Sequence, residues 1–158
     1  MKTFRLVSFQ CLEQEDGEIV HLPIPLKEGL IINREEKDGS WLINAVVDRD
    51  QETWFIHSRD QENPLVIEVI ITDPRNEPAI MTGTVMDQSD LSEGISLLIK
   101  AKMAGGQEDV SQMILEDLAK EGYTGPEMIE EFQVRKKNSR IRSAKMAQRI
   151  FESFGSTN

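Results

Sequence analysis

The chain has 158 residues, with 28 acidic and 18 basic side chains and a formal charge of -10, and this length fits one compact domain with a sizeable core. The sequence contains no run of 18 apolar residues to span a bilayer, and its first residues show no small-residue cleavage site behind an apolar run, so we expect no signal peptide. A single cysteine excludes an internal disulfide. We therefore expect a cytoplasmic protein without a membrane span.

Alternating side chains predict the first strands. Thr3 to Leu12 places Phe4 and Leu6 on one face and Val7, Phe9 and Cys11 on the other. This pattern predicts a strand with little water on either side, in which Cys11 is a buried small hydrophobe. Gly29 to Asn33 and Ser40 to Val47 are also predicted strands, the second with an apolar face of Trp41, Ile43, Ala45 and Val47. Asp48 to Gln51 predicts a turn.

The strand pattern continues to residue 103. The further predicted strands are Trp54 to His57, Leu65 to Thr72, Ala79 to Met86 and Glu93 to Met103. The last of these has the cleanest alternation, with an inward set of Ile95, Leu97, Ile99, Ala101 and Met103. About seven or eight short strands without a helical pattern between them predict an all-β core, an antiparallel barrel or sandwich. Periodicity does not choose between these two.

After residue 104 the spacing becomes helical. Gly105-Gly106 marks the boundary, and Gln107 to Glu121 is the first predicted helix, with acidic Glu108 and Asp109 in its first turn and an apolar stripe of Val110, Met113, Ile114 and Leu118. Gly122 is placed to end this helix in a left-handed cap, with Tyr123 folded back on the last turn. Thr124 to Glu127 predicts a capping box at the start of a second helix, so an antiparallel helix pair is expected.

The second predicted helix is less regular. At helical spacing Ile129 and Phe132 share a face with Ala147, Ile150 and Phe154, but the middle of that face is polar. Either one helix of about 28 residues continues through this region, or it bends near Asn138-Ser139 and restarts with Ser139 as its cap. The expected organisation is a barrel core over 1-104, a helix pair over 105-154 packed on the barrel or on a neighbouring subunit, and a frayed tail over 155-158.

Signatures of catalysis, metal binding and cofactor binding are few. The sequence has no Gly-x-Ser-x-Gly turn that would supply a nucleophile to pair with His21 or His57. Two histidines and one cysteine are too few ligands for a zinc site. The segment from Asp48 resembles a calcium loop, but Thr53 and Arg59 replace the required glycine and glutamate. Gly83 stands alone in a predicted strand, outside any phosphate-binding loop. We expect a protein that is not an enzyme and has no cofactor. An enzyme that uses paired carboxylates is a third hypothesis, beside the two binding hypotheses given at the end of this section.

Charge is strongly segregated along the chain. Residues 135-149 hold seven bases and no acid: Arg135, Lys136, Lys137, Arg140, Arg142, Lys145 and Arg149. The other 143 residues carry 11 bases and 28 acids, a charge of -17, and Glu108 to Glu131 holds eight acids against Lys120 alone. If the helices pair, the basic segment could neutralise the acidic one.

The alternative to internal neutralisation is a basic helix that binds an anionic partner. Candidates are nucleic acid, an anionic membrane face, or the acidic barrel of a neighbouring subunit. The overall acidity and the lack of an aromatic-rich strand disfavour nucleic acid. A protein partner or self-association is therefore the favoured prediction, and no small-molecule substrate is identified.

Three strand segments and the helix pair resemble the YwpF-like family of small proteins from Bacillus, Staphylococcus and relatives. The segments are Met1 to Ser8, Glu28 to Asn33 and Trp41 to Ile43, and the similarity covers essentially the whole chain. The resemblance implies a β-barrel with a C-terminal two-helix pair, the barrel being similar to that of the tube-forming component of type VI secretion systems. It implies no catalytic residues, and likeness of barrels concerns fold alone. A non-enzymatic interaction or assembly protein is the leading hypothesis; the alternative is a binder of nucleic acid or another anionic ligand through helix 135-149.

Overall fold

The structure, a computed structural model, describes residues 1-60, 63-104 and 107-155, apart from the side chains of 107-109 and 155. The chain divides into two compact units, Met1–Met103 and Ala104–Asn158, and each is described by itself. The predicted boundary at Gly105-Gly106, the side chains of Glu108 and Asp109 in the predicted first turn, and residues 156-158 of the predicted tail lie outside the described part of the chain.

Seven antiparallel strands form the first unit. They are β1 (Lys2–Glu15), β2 (Glu18–Pro23), β3 (Glu28–Asn33), β4 (Ser40–Val47), β5 (Leu65–Ile71), β6 (Ala79–Leu91) and β7 (Gly94–Met103). The sheet order is β2-β1-β3-β4-β7-β6-β5, and the additional pairing of β1 with β5 closes six strands into a barrel. The predicted fold class of strands followed by C-terminal helices is confirmed, and closure makes the core a barrel rather than a sandwich.

Alternate residues of the barrel strands fill the interior. The predicted inward set of β4 lies in this core, as do Ile95, Leu97, Ile99 and Ala101 of β7. Met103 was predicted to point inward but is 44% exposed, because the strand ends there and no further layer of the core covers it. The period-two alternation thus predicts the core residues correctly in the middle of these strands and wrongly at the end of β7.

β1 differs from the predicted two-faced strand. Its pairing with β5 changes register between Leu6 and Ser8, as at a β-bulge. Leu6 before the shift and Phe9 after it therefore contact the same core, together with Cys11. Cys11 is 1% exposed, and burial, with a smaller contribution from the charge of Glu13, raises the pKa of its thiol. The apolar residues predicted on two faces of β1 thus lie on one inward face, because the bulge shifts the alternation of side chains by one residue.

The predicted strand at Trp54 to His57 is wrong, because this segment lies in a helix, α1 (Glu52–Arg59). Phe55 of α1 is fully buried, and its ring is stacked on that of Phe9 with 6.3 Å between centroids. The ring of Trp54 meets Phe55 edge to face, whereas Ile56 is 39% exposed. An apolar run of four residues is too short to define a period, so tertiary packing decides its conformation.

A hairpin between β1 and β2 was not predicted. The two-residue turn Asp16-Gly17 joins Glu15 to Glu18, which are paired, and both turn residues have positive φ angles, 51° and 81°. This conformation matches the right-handed twist of the flanking strands and favours glycine at the second position. The Asp-Gly dipeptide was the available sequence signal for this hairpin.

The second unit consists of helices α2 (Gln107–Lys120), α3 (Gly125–Lys137) and α4 (Ser139–Gly155). Val110, Ile114 and Leu118 of α2 form a small core with Tyr123, Met128, Phe132 and Met146. Gly122 has a φ of 89°, and the Tyr123 N–H donates to the Leu118 carbonyl at 3.0 Å. This geometry is the predicted left-handed C-cap. In the described part of the chain, no helix is long and apolar enough to cross a membrane.

The second predicted helix is broken, as one of the two alternatives had it. Asn138 is extended, with φ -81° and ψ 105°. Its Oδ1 accepts hydrogen bonds from the N–H groups of Arg140 and Ile141 at 3.0 and 3.2 Å. The cap of α4 is therefore Asn138 and not Ser139.

Two further details of α3 differ from the prediction. Thr124 is its N-cap, but the described Thr124 side chain makes no cap hydrogen bond, so the capping box is not formed. Ile129 is 63% exposed, whereas Met128 and Phe132 contact the core. The break at Asn138 changes the helical phase, so the stripe predicted through Ile129 does not continue into α4.

Candidate functional site

The two units have different charge distributions. Residues 1-103 carry 10 basic and 19 acidic side chains, a net charge of -9, and residues 104-158 carry 8 basic and 9 acidic side chains, a net charge of -1. The near-neutral second unit contains the entire basic segment 135-149. Its surface is therefore the place to look for a site that binds anions.

Arg135 is engaged within the helical unit. Its guanidinium donates to both carboxylate oxygens of Glu121, at 2.7 and 3.1 Å, and to Glu131 at 3.0 Å. It also lies 5.8 Å from the centroid of the Tyr123 ring. These hydrogen bonds raise the pKa of Arg135 and lower that of Glu121. Arg135 therefore joins α3 to the end of α2 and is not available as a free positive charge.

Lys145 makes the second charge contact between helices, an ion pair with Asp117 of α2. A cleft of about 570 Å³ lies beside both contacts; its lining is Ile114, Asp117, Lys120, Glu121, Arg135, Ile141 and Lys145. Every acid in this lining faces a basic partner. For Arg135 and Lys145 the structure thus has the contacts that the neutralisation alternative predicted.

The exposed part of the basic segment surrounds the break between α3 and α4. Lys136 and Lys137 end α3, Arg140 lies in the first turn of α4, and all three are exposed. We call these three residues the basic corner. The ammonium of Lys136 lies 5.6 Å from the centroid of the Phe132 ring. Of the remaining predicted residues, Arg142 is half-buried, and Arg149 is exposed but more than two turns further along α4.

The basic corner does not serve the stability of α4. A helix N-terminus carries a partial positive charge and favours acidic side chains by about 0.3–1 kcal/mol each. The first turn of α4 has no acidic residue and contains Arg140. Arg140 therefore lies where the dipole of α4 opposes its charge, whereas Lys136 and Lys137 lie in the last turn of α3, where the dipole favours basic side chains.

Two apolar side chains are exposed on α3, the helix that ends at the basic corner, and we call the exposed part of this helix its outer side. Ile129 is 63% exposed and Val134 is 61% exposed, and no described residue of α3 is fully buried. Sequence reasoning missed this feature because it assigned Ile129 to a buried stripe. The i, i+4 spacing of Met128 and Phe132, which contact the core, was the sequence signal that would have separated the two sides.

The other candidate residues form no recognisable site. His21 is half-buried in β2, and His57 lies on α1. Among the residues that the structure describes, no group of three or more His, Cys, Asp and Glu side chains could hold a metal ion. The basic corner with the outer side of α3 is therefore the candidate interface.

Comparison with known proteins identifies relatives over most of the chain. The family model described as "YwpF-like protein" matches residues 2–135. "Uncharacterized protein YwpF" of Bacillus subtilis (strain 168) is 36% identical over 132 residues, which cover 84% of this chain and 97% of that protein. A crystal structure of a hypothetical protein from Staphylococcus aureus is 31% identical, with a TM-score of 0.62, and the match covers 87% of this chain and 96% of that one.

Proposed function

We propose that this chain, which belongs to the YwpF-like family, is a non-enzymatic interaction protein that binds an acidic protein surface through its helical unit. The observation that supports this function is the exposed basic corner of Lys136, Lys137 and Arg140, together with Ile129 and Val134, which are exposed on α3. Apolar groups provide the area that is removed from water, and the charges select an acidic partner and orient it.

The charge contacts inside the helical unit support this choice of residues. Arg135 and Lys145 are held by Glu121 and Asp117, so a partner gains little from them. The basic corner has no such role in joining the helices, and Arg140 opposes the dipole of α4. A basic side chain that is unfavourable for its own helix is more simply explained by what it binds.

A cross-linked pull-down from the native cell, analysed for protein and for nucleic acid, tests this function. We expect the wild-type chain to retain a specific protein that the variant Lys136→Glu/Lys137→Glu/Arg140→Glu loses. The matched control is Lys2→Glu/Lys37→Glu/Arg75→Glu, which makes the same change of net charge at exposed positions of the barrel unit. Equal capture by wild type and the corner variant, or equal loss in both variants, would contradict the proposal.

The alternative candidate is a binder of nucleic acid or another anionic ligand through the same helix. It is supported by the same positive charge at the start of α4, where phosphate oxygens would also be favoured. A gel shift at low salt tests it: binding that Lys136→Glu/Lys137→Glu/Arg140→Glu abolishes and that Lys2→Glu/Lys37→Glu/Arg75→Glu leaves intact would establish this alternative, and no shift of the wild-type chain would remove it.

We place this binding function in the cytoplasm, where the buried free thiol of Cys11 suits a reducing compartment. The similarity to a secretion tube component that the family resemblance implies would concern the fold of the barrel alone, and we propose no tube or ring from it.

A further inference from the structure

A small cavity lies on the outer face of the barrel, over the strand pair β6 and β7. Its volume is about 250 Å³, slightly below the range of about 300–1,000 Å³ that is typical of sites for drug-sized ligands. Pro64 and Met86 contribute apolar lining, and each of the two strands contributes two polar side chains. These are Thr82 and Thr84 of β6 and Lys100 and Lys102 of β7. The cavity is therefore sized for a small ligand.

The register of β6 and β7 brings the four polar side chains together. Thr82 is paired with Lys102, and Thr84 is paired with Lys100. Ala101, between the two lysines, lies in the barrel core, so the alternation of the strand directs both lysines outward. The side chains start about 5 Å apart across the strands and about 7 Å apart along each strand. Their polar ends can therefore reach one small group.

Three of these four polar groups are free to bind a ligand. In the part of the chain that the structure describes, the ammonium of Lys102 and the hydroxyl groups of Thr82 and Thr84 make no hydrogen bond or ion pair. Lys100 differs, because its Nζ lies 3.4 Å from Oδ2 of Asp38. Two ammonium groups and one carboxylate leave the site with an excess of positive charge.

The placement of the two lysines is not explained by the stability of the sheet. The chain has 28 acids against 18 bases, yet the residues paired with these lysines are Ser40 and Leu42 on β4 and threonines on β6. Neither β6 nor β7 is an edge of the sheet, so the lysines do not serve to prevent strand addition. Two ammonium groups on one face of a strand also repel each other. An anion bound between them would remove this repulsion.

We propose that this cavity binds the phosphate group of a small phosphate monoester. Such a group has three terminal oxygens that accept hydrogen bonds, so Lys102, Thr82 and Thr84 can each donate to a different oxygen. Lys100 adds positive charge beside them. A carboxylate has only two oxygens and would leave one of the three donors without an oxygen of its own.

The apolar lining indicates that the ligand has an organic part. Met86 is 55% exposed and Pro64 is also exposed, so a group attached to the phosphate can remove their surface from water. Inorganic phosphate would gain nothing from these two side chains. A monoester with an apolar group should bind about fourfold more tightly or better, which is the effect of burying the equivalent of one CH₂ group.

Titrations followed by two-dimensional amide NMR test the ligand class. The probes are inorganic phosphate, phenyl phosphate and benzoate, each added to the full chain at constant ionic strength. We expect both phosphates to shift the amide signals of β6 and β7, with phenyl phosphate binding the more tightly. Benzoate should bind about fivefold more weakly than phenyl phosphate, because it loses one hydrogen bond.

Substitutions test the assigned residues. Lys102→Gln removes the free ammonium and should weaken the binding of phenyl phosphate about tenfold, whereas Thr84→Val keeps the side-chain shape and should weaken it about fivefold. The matched control is Lys2→Gln, at another exposed lysine of the barrel unit, which should bind as the wild type does. Lys102 is exposed, and the amide spectrum itself reports whether each variant is folded.

The basic corner is the competing place for a phosphate, because it includes the first turn of α4. The variant Lys136→Glu/Lys137→Glu/Arg140→Glu should therefore retain both the shifts in β6 and β7 and the affinity for phenyl phosphate. The proposal would be overturned by shifts confined to α4, by wild-type affinity of Lys102→Gln, or by equal affinity for benzoate and phenyl phosphate. Absence of binding by either phosphate compound would also overturn it.

Discussion

Asn138 determines where one predicted helix becomes two. Its carboxamide oxygen accepts from two N–H groups of α4, and its carbonyl accepts from the N–H of Arg142 at 3.1 Å. The sequence allowed a bend near Asn138-Ser139, but asparagine and serine are equally good caps. Which one is used depends on the phase at which α4 packs, and that phase is set by tertiary contacts such as those of buried Ser143 and Ala147.

Asn138→Ala should destabilise the helical unit by about 1 kcal/mol, because two N–H groups of α4 lose their acceptor. Urea unfolding followed by far-UV circular dichroism measures this change. Asn138→Asp retains an acceptor and should stay close to wild type, and Ser139→Ala should have a smaller effect than Asn138→Ala. If Ser139→Ala were the more destabilising substitution, Asn138 would not be the functional cap.

The Arg135–Glu121 contact predicts a dependence of stability on pH. The hydrogen bonds from Arg135 lower the pKa of Glu121 in the folded chain. The unfolded chain therefore binds a proton at a higher pH than the folded chain, and the stabilisation is present above the unfolded pKa of about 4.3 and is lost as pH falls through the folded pKa. The raised pKa of Arg135 has no consequence in this range.

The measurement is the melting temperature of the wild type and of Glu121→Gln between pH 7 and pH 3. We expect the wild type to melt higher at pH 7 and the difference to shrink below about pH 4. Glu130→Gln is the control, since Glu130 is an exposed acid on α3 and should give a smaller difference. A wild-type advantage that grows on acidification would show that the contact does not stabilise the fold.

At the scale of elements, long alternating strands were predictable and short or irregular ones were not. β4 was predicted with its observed bounds, Ser40–Val47, because eight residues alternate without interruption. The bulge in β1 and the helix at Glu52–Arg59 both depend on contacts distant in sequence, with β5 in one case and with Phe9 in the other. For the candidate site, the basic residues were predictable from composition. Which of them are paired and which are exposed was not predictable, because this depends on the break between α3 and α4 at Asn138.

Helix α1 should contribute to barrel stability mainly through Phe55. This side chain is fully buried against Phe9 and Trp54, so Phe55→Ala leaves a cavity and should cost about 3–5 kcal/mol. Ile56→Ala on the same helix is the control; it removes a side chain that is 39% exposed and should cost less than about 1 kcal/mol. Guanidinium unfolding followed by tryptophan fluorescence measures both, and equal small effects would mean that α1 does not complete the core.

At the scale of the whole molecule, the charge of -10 conceals two different units. The barrel unit accounts for -9 of this charge, and the helical unit is nearly neutral but bipolar. Net charge alone would exclude an anionic partner. When the charge of each unit is considered separately, an anionic partner is compatible with it. Asp117 and Glu121 neutralise only the bases that they contact, Lys145 and Arg135.

The two units should also differ in local stability. Among the described residues the main core of the barrel unit contains 17 buried side chains, whereas the helical unit has four buried apolar side chains, Val110, Ile114, Leu118 and Ala147. Segments with fewer buried apolar contacts open at lower free energy than the most buried strands. Hydrogen exchange followed by mass spectrometry should therefore show amides of α2, α3 and α4 exchanging before those of β4 and β7.

The Phe55→Ala variant separates the two contributions to this exchange pattern. Its cavity lies in the barrel core, so it should accelerate exchange in β4 and β7 more than in the helices. Asn138→Ala should do the reverse, since the cap that it removes belongs to α4. If either substitution accelerated exchange equally throughout the chain, the whole protein would open as one cooperative unit, and the division at Met103 would be geometric only. If the helical unit opens independently, its helices would become more ordered when the basic corner binds a partner. The free energy of that ordering would reduce the affinity.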